Sequence, residues 1–148
     1  MLTTPHLLVG AAIGASLGPE KSLLVVPVAG ASHFVFDWIP HLMGFIEVED
    51  LDKKDVLFVV GDVLLGVGLL MVLSLGNTNW EILWIGALAS VLPDFHHLVK
   101  VIFGPETLKK YTKAHLKFHY QKEMNVITGM STQIITCVIA TATILLKK

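Results

Sequence analysis

The chain has 148 residues, of which 53% are hydrophobic and only 16% are charged, and its mean hydropathy is +0.69. Soluble domains carry about 25% charged residues, so this composition excludes an ordinary water-facing surface and predicts a single domain, residues 1–148, that is solvated by lipid. The net charge of −1 offers no basic surface for nucleic acid, and the absence of arginine excludes the bidentate phosphate clamp of many phosphate-handling proteins.

Five apolar segments follow one another along the chain, and in lipid each must be helical because unpaired backbone groups are too costly there. The first, residues 2–17, is short for a span, since about 20 residues are usual. The second runs from residue 22 to about residue 38, or to residue 46 if its polar groups are tolerated. The others cover residues 56–75, 79–103 and 124–146. The prediction is an all-α, polytopic membrane helical bundle with four or five transmembrane helices, whose broken ends surround a polar site.

The connectors are polar, and the longest, residues 104–123, is predicted to be partly helical and to lie at the membrane surface. With five spans, the N-terminus, the second connector and this fourth connector share one side of the membrane. That side carries Lys53, Lys54, Lys109, Lys110, Lys113, Lys117 and Lys122. By the positive-inside rule it is predicted to be the cytoplasmic side.

The first segment contains Gly10, Gly14 and Gly18 at intervals of four residues. Small residues on one helical face allow helices to approach closely in membranes. The same region reads "GASLG", which matches the G-x-S-x-G nucleophile elbow around Ser16. That motif needs a strand, a turn and a helix in succession, so we predict that these residues pack helices together.

The stretch "SHFVFDWIPH" places two histidines and an aspartate inside the second apolar segment. His33 and Asp37 are four residues apart, so they face the same way on a helix, about 6 Å apart along its axis. His41 is about 12 Å from His33 on an ideal helix. Pro40 disfavours helix for the residue before it. The helix is therefore predicted to end near residues 38–39, which frees His41 to turn back or to serve a second ion.

The remaining ligand-type residues are predicted to lie toward the same face of the membrane as this pair. They are His6 in the first segment, Asp62 in the third, Asp94, His96 and His97 in "LPDFHH", and His115 and His119 in "HLKFH". Because neighbours on a helix diverge by about 100°, only one of His96 and His97 is expected to accompany Asp94. Simpler alternatives stay open: an interfacial His6, a solvated face carrying His115 and His119, and a purely structural Asp62.

Imidazole and carboxylate ligands together suit zinc, and manganese or iron less specifically. So many ligands exceed the needs of one tetrahedral ion, and two ions about 3.5–4 Å apart, bridged by Asp37 or Asp94, would use them. The predicted metal ligands are His6, His33, Asp37, His41, Asp62, Asp94, His97, His115 and His119. The predicted catalytic carboxylates are Asp37, Asp62 and Asp94, with Asp62 as ligand, outer partner or general base.

Three motifs in this order resemble the YdjM-type membrane-bound metal-dependent hydrolases, small proteins of prokaryotic inner membranes: "TPHLLVGAAIG", "SHFVFDWIPH" and "LPDFHH". The resemblance implies that His6, His33, Asp37 and Asp94 match the metal residues of that family. The chain departs from the family at "AHLKFHY", where many members carry an "RGxTHS"-like segment.

Together these features predict a hydrolase that acts on a phosphoester or lipid-type substrate at the cytoplasmic face, with the lipid bilayer as its other partner. The alternative is a membrane protein that binds or transports divalent metal without hydrolysis. A haem-binding electron carrier with paired histidines is a third class. Apart from Glu81 at the start of the fourth segment, the non-cytoplasmic halves of the predicted helices lack charged residues, which disfavours transport because a transporter needs a polar path.

Overall fold

The computed structural model describes residues 1–42, 52–120 and 124–148, and these form seven α-helices and no strand. The helices are α1 (Thr3–Leu17), α2 (Ser22–Trp38), α3 (Lys53–Ser74), α4 (Trp80–Val91), α5 (Phe95–Phe103), α6 (Lys109–His115) and α7 (Val126–Leu146). Short 3-10 turns cover Pro19–Lys21, Leu92–Asp94 and Leu116–Phe118. The all-α prediction is confirmed for these residues. The proposed extension of the second segment to residue 46, and parts of the second and fourth connectors, lie outside the described residues.

The helix ends follow local chemistry. α2 ends at Trp38, and Ile39 is extended with φ −69° and ψ 138°, as expected for the residue before Pro40. The predicted break is therefore confirmed. At the start of α3, the Asp52 side chain accepts hydrogen bonds from two backbone N–H groups and completes a capping box. Asn125 caps α7 in the same way through the N–H of Thr128.

The fourth apolar segment is interrupted where its proline lies. α4 ends at Val91, the turn Leu92–Asp94 contains Pro93, and α5 begins at Phe95. Proline removes a backbone donor from the turn, yet it is tolerated in the first turn of a helix, where that donor would be unsatisfied anyway. The chain therefore changes its helical geometry beside Asp94 and then continues as helix.

Three helical stretches are long and apolar enough to cross a membrane: Lys53–Ser74, Trp80–Phe103 and Val126–Leu146. Thr3–Leu17 and Pro19–Trp38, bent by 100° at the break between them, make a fourth if the pair counts as one span. Large apolar side chains on these helices face outward, such as Leu64 and Ile127, which are 66% and 81% exposed. Extended apolar surface of this kind fits contact with lipid.

α1 lies at the centre of the bundle and packs against α2, α3, α4 and α7. The closest approach is between α1 and α4. A Cβ atom added at Gly10 would lie 2.7 Å from the Gly86 carbonyl carbon, and one at Gly14 would lie 2.9 Å from the carbonyl carbon of Ile82. The predicted packing role is confirmed for Gly10 and Gly14, whereas Gly18 instead ends α1 with a positive φ of 71°.

Ser16 is part of the same helix. Its hydroxyl donates to the carbonyl of Ala12 at 2.7 Å, a bond within one helical turn. The "GASLG" sequence therefore lies mostly within α1 and has none of the strand–turn–helix geometry of a nucleophile elbow.

Candidate metal centre

Histidine and aspartate side chains from several elements meet at one end of the bundle. They come from the start of α1, the end of α2, the α4–α5 junction and the fourth connector. Four overlapping groups each bring three ligand atoms within 4.8 Å of one another and could hold a metal ion. The groups are His6–His33–Asp37, His33–Asp94–His115, Asp37–His115–His119 and Asp94–His96–His97.

The innermost donors are the Nε2 atoms of His33 and His115 and one oxygen each of Asp37 and Asp94. The His33 nitrogen lies 3.0 Å from Asp37 Oδ2 and 3.4 Å from Asp94 Oδ1. The His115 nitrogen lies 3.8 Å and 3.3 Å from the same two oxygens. Zinc bonds of about 2.0–2.1 Å at tetrahedral angles place neighbouring donors about 3.3–3.4 Å apart. The contacts of His33 and His115 with Asp94 have this spacing, so these three residues could share one ion, while Asp37 shares a second group with His115 and His119.

Asp37 is the carboxylate on which most of these contacts converge, and both of its oxygens are engaged. His6 Nε2 lies 3.0 Å from Oδ1, and His119 Nε2 lies 3.1 Å from Oδ2 and 3.0 Å from His115 Nε2. The amino nitrogen of Met1 also contacts Oδ1, at 2.5 Å. A carboxylate with ligand-type neighbours at each oxygen has the arrangement needed to bridge two ions.

Three buried histidines share an outward hydrogen bond from Nδ1 to a main-chain carbonyl. The pairs are His33 with Ser90 at 2.8 Å, His41 with Ile39 at 2.7 Å, and His96 with Pro93 at 2.9 Å. A carbonyl oxygen can only accept, so Nδ1 carries the proton and Nε2 of the neutral ring keeps its lone pair. Metal-ligating histidines are typically oriented by this kind of hydrogen bond.

Four inward-facing atoms of this site are buried without a hydrogen bond among the described residues. This holds for Nε2 of His33, His41 and His96 and for Oδ2 of Asp37. His33 and Asp37 are completely buried, yet their contact at 3.0 Å does not have hydrogen-bond geometry. Each unsatisfied buried group costs about 1–3 kcal/mol. A divalent cation would satisfy a lone pair and a carboxylate together, so the donor set fits a metal of the zinc, manganese or iron class.

Two histidines beyond the apolar helices are held in their metal-binding form. Burial lowers the pKa of His41 and takes the pKa of His119 to about 4. Both rings are therefore neutral at pH 7, and neutral imidazole is the form that binds metal. His41 is not in any of the four groups, but its ring packs edge-on against that of His119, with centroids 5.9 Å apart.

The fourth connector folds back over the end of α2 and brings its histidines into the site. The backbone N–H of Tyr120 donates to the Asp37 carbonyl at 2.9 Å. The Phe34 ring packs against the rings of His115 and Phe118, at centroid distances of 5.5 Å and 5.1 Å. Main-chain pairing and aromatic packing thus place His115 and His119, which are separated from Asp37 by more than seventy residues of sequence.

Ser90 links two of the candidate ligands, and sequence reasoning missed it. Its hydroxyl, fully buried, lies 2.5 Å from the His6 carbonyl and 2.9 Å from the Ala87 carbonyl, while its own carbonyl orients His33. It ends the run of small residues "GALAS" in α4, which is the signal that could have identified it. The close α1–α4 packing at Gly10 is what brings this serine to His6.

Asp62 lies at the start of α1 and in none of the four groups within the described chain. Its carboxylate accepts from the backbone N–H groups of Thr3 at 2.6 Å and Thr4 at 3.2 Å, and its carbonyl accepts from the Thr4 hydroxyl. Leu2 provides no side-chain cap for α1, so Asp62 caps this helix from α3. The interpretation of Asp62 as a metal ligand or general base stays a prediction.

The outer group differs from what the helical spacing predicted. We expected only one of two adjacent histidines to accompany Asp94, but a ligand atom of both His96 and His97 lies within 4.8 Å of one on Asp94. Their rings approach to a centroid distance of 4.0 Å, and His96 is buried while His97 is half-buried. Two long side chains can converge at their tips although their Cα–Cβ bonds diverge. His96 therefore joins the candidate ligands.

No protein-family model, no curated protein and no solved structure matches this chain. What the protein does must therefore be inferred from its own residues.

Proposed function

We propose that the protein is an integral membrane, metal-dependent hydrolase that acts on a phosphoester of lipid type at the cytoplasmic face of an inner membrane. The observation that carries this proposal is the set of four donor atoms on His33, Asp37, Asp94 and His115, with contacts of 3.0 to 3.8 Å. The resemblance of its motifs to YdjM-type hydrolases points in the same direction.

Within this proposal, His33, Asp94 and His115 hold one ion, and Asp37 holds a second with His6 or with His119. Zinc fits the donors best, with manganese or iron as the other choices. When bound, such an ion supplies Lewis-acid polarisation of a phosphoryl oxygen and lowers the pKa of water.

The chain's own residues define how a substrate reaches this centre. His33 and Asp37 are fully buried, but the Asp94 side chain is 28% exposed, so the site opens at Asp94. The ligands from the fourth connector are less accessible, since the side chains of His115 and His119 are 0% and 12% exposed. The lysines of α6, among them the exposed Lys110 and Lys113, lie on the same connector and would attract an anionic head group.

The chain is proposed to cross the membrane four or five times, with the lysine-rich connectors in the cytoplasm. This orientation places the site at the level of the cytoplasmic head groups. Alkaline phosphatase fusions to the second and fourth connectors would test the topology, because only a connector outside the cytoplasm gives an active fusion.

The deciding experiment measures bound metal and hydrolysis on the same detergent-purified protein. His33→Ala and Asp37→Ala are expected to lose the ion, since each removes a donor from the innermost set. Glu81→Ala, at the opposite end of α4 from Asp94, is the matched acidic control and is expected to retain it. Hydrolysis of phosphatidic acid should disappear on chelation and return with added metal.

Unchanged metal content in both site variants would reject the metal centre. Metal binding without hydrolysis, together with metal uptake into proteoliposomes, would instead favour the alternative of a divalent-metal transporter.

A further inference from the structure

An apolar groove of about 680 Å³ lies between α1, α2 and α7. Its lining on α2 includes Phe36 and Ile39. Phe36 is the neighbour of Asp37, and the carbonyl of Ile39 orients the ring of His41. One end of the groove therefore lies at the same level along α2 as the candidate metal centre. At its other end it reaches Leu17 of α1 and Thr143 of α7.

The length of the groove matches half a bilayer. It extends from Val28 to Ile39 along α2 and from Thr132 to Thr143 along α7. At 1.5 Å per residue each of these stretches is about 17 Å long. The hydrocarbon core of a bilayer is about 30 Å thick, so one leaflet contributes about 15 Å. A groove that starts at the level of the head groups and has this length is matched to the acyl chain of one leaflet.

The hydroxyl donors along the walls of the groove already have acceptors within their own helices. The hydroxyl groups that line the groove each lie within hydrogen-bond distance of a carbonyl of their own helix. They are Ser16 with Ala12 at 2.7 Å, Thr132 with Gly129 at 3.0 Å, Thr136 with Thr132 at 2.9 Å, and Thr143 with Ile139 at 2.9 Å. A bound peptide would bury backbone groups without partners, which is costly in an apolar environment. A hydrocarbon chain makes no such demand.

We propose that this groove binds one acyl chain of a membrane lipid, drawn from the leaflet on the side of the metal centre, with the lipid head group at the end of the groove nearest that centre. Only the hydrolysis of the head-group phosphoester rests on the proposed function. If that function holds, the substrate is a phospholipid that the protein recognises by its acyl chain as well as by its phosphate. The binding of the chain depends only on the groove.

The test uses the full chain in phosphatidylcholine vesicles with a trace of phosphatidic acid that carries a photoreactive diazirine at the end of a long acyl chain. After illumination, mass spectrometry locates the labelled residues. We expect labelling around Val28 and Thr143 that unlabelled long-chain phosphatidic acid competes away. Val138 is 61% exposed on α7 and lies outside the groove, so its labelling measures contact with the lipid that surrounds the protein.

Two variants narrow the far end of the groove. Ser16→Phe with Thr143→Phe fills it from both sides, and Val28→Phe, at a position 44% exposed, does so with little demand on the core. Each should weaken competition by the long-chain lipid at least about tenfold, the effect of about two methylene groups that are no longer buried. Competition by a short-chain phosphatidic acid should not change. Val138→Phe is the matched control and should resemble the unmodified protein.

Several outcomes would overturn the inference. One is labelling at Val28 and Thr143 that cannot be competed and equals that at Val138, which indicates surrounding lipid only. Another is a groove that the probe does not label in a protein that is dimeric by size-exclusion chromatography, which indicates a second copy as the occupant. Failure of the proposed function looks different: His33→Ala and Asp37→Ala would change neither metal content nor hydrolysis, while competed labelling of the groove persisted.

Discussion

Gly10 tests whether helix packing determines the geometry of the metal centre. Replacing it with alanine would put a Cβ atom 2.5 Å from Ser90 Oγ and 2.7 Å from the Gly86 carbonyl carbon. Ordinary contacts between carbon and oxygen are about 3.3–3.6 Å. α1 and α4 must therefore separate locally by about 1 Å to accept the methyl group. Overpacking of this kind costs about 1–3 kcal/mol of stability.

The same displacement reaches the candidate ligands through Ser90, whose hydroxyl contacts the His6 carbonyl and whose carbonyl orients His33. Metal sites tolerate distance errors of about 0.2 Å, so a shift of about 1 Å is several times too large. Loss of an outer partner of a ligand typically lowers metal affinity about 10–100-fold. We expect a reduction in this range for Gly10→Ala, although no ligand is changed.

The assay combines thermal unfolding in detergent with metal affinity measured by competition against a chelator. Gly68→Ala is the control, because Gly68 is also a helical glycine but has nothing within 4 Å of its added Cβ. That change should be neutral or stabilising by up to about 1 kcal/mol, since alanine is the better helix former. If Gly10→Ala behaves like Gly68→Ala in both measurements, the link from packing to metal geometry is refuted.

Two further predictions concern carboxylate and imidazole groups at the edge of the site. Asp62→Ala should lower the free energy of unfolding by about 1 kcal/mol, because α1 loses its cap, and should leave the metal content unchanged. Thermal unfolding and elemental analysis measure the two effects. Loss of the metal in this variant would show that Asp62 is a ligand. The pKa of His119 is about 4 in the folded chain and 6.5 as the ordinary value, so the unfolded state binds the extra proton between these pH values. The free energy of unfolding of the metal-free protein should therefore fall as the pH drops from 6.5 to 4 and level off below pH 4. His119→Asn should flatten this part of the pH profile. An equally steep profile in the variant would contradict the attribution of the pH dependence to His119.

The elements that could be predicted from the sequence are those determined by local chemistry. Proline at position 40 is enough to end α2 at Trp38, and the four-residue interval between His33 and Asp37 is enough to place them on one face. The helices found for the apolar segments follow the same logic, because a long apolar run in lipid has few structures available to it. The number of spans depends on how α1 and α2 enter the membrane, because a bend of 100° separates them.

The parts that could not be predicted depend on which helices become neighbours. In the sequence, Asp62 is a lone acidic residue in an apolar helix. Only the position of α1 beside α3 shows that it accepts hydrogen bonds from backbone N–H groups at the start of α1. Ser90 reads as a small packing residue, and only the α1–α4 contact shows that it joins His6 to His33. Helical-wheel reasoning failed for His96 because side chains that diverge at Cα can converge at their ring atoms.

The hydrogen bonds that hold the rings of His33, His41 and His96 all end on main-chain oxygens, two of them on Ile39 and Pro93 beside the broken helix ends. A side-chain substitution cannot remove a main-chain carbonyl, so most point mutations leave these hydrogen-bond acceptors in place. The same acceptors would be the most difficult part of the site to reproduce in another protein. A designer who copied only the histidines and aspartates onto a regular helical bundle would leave the imidazole rings free to rotate, and would need to copy the interruptions in the helices as well.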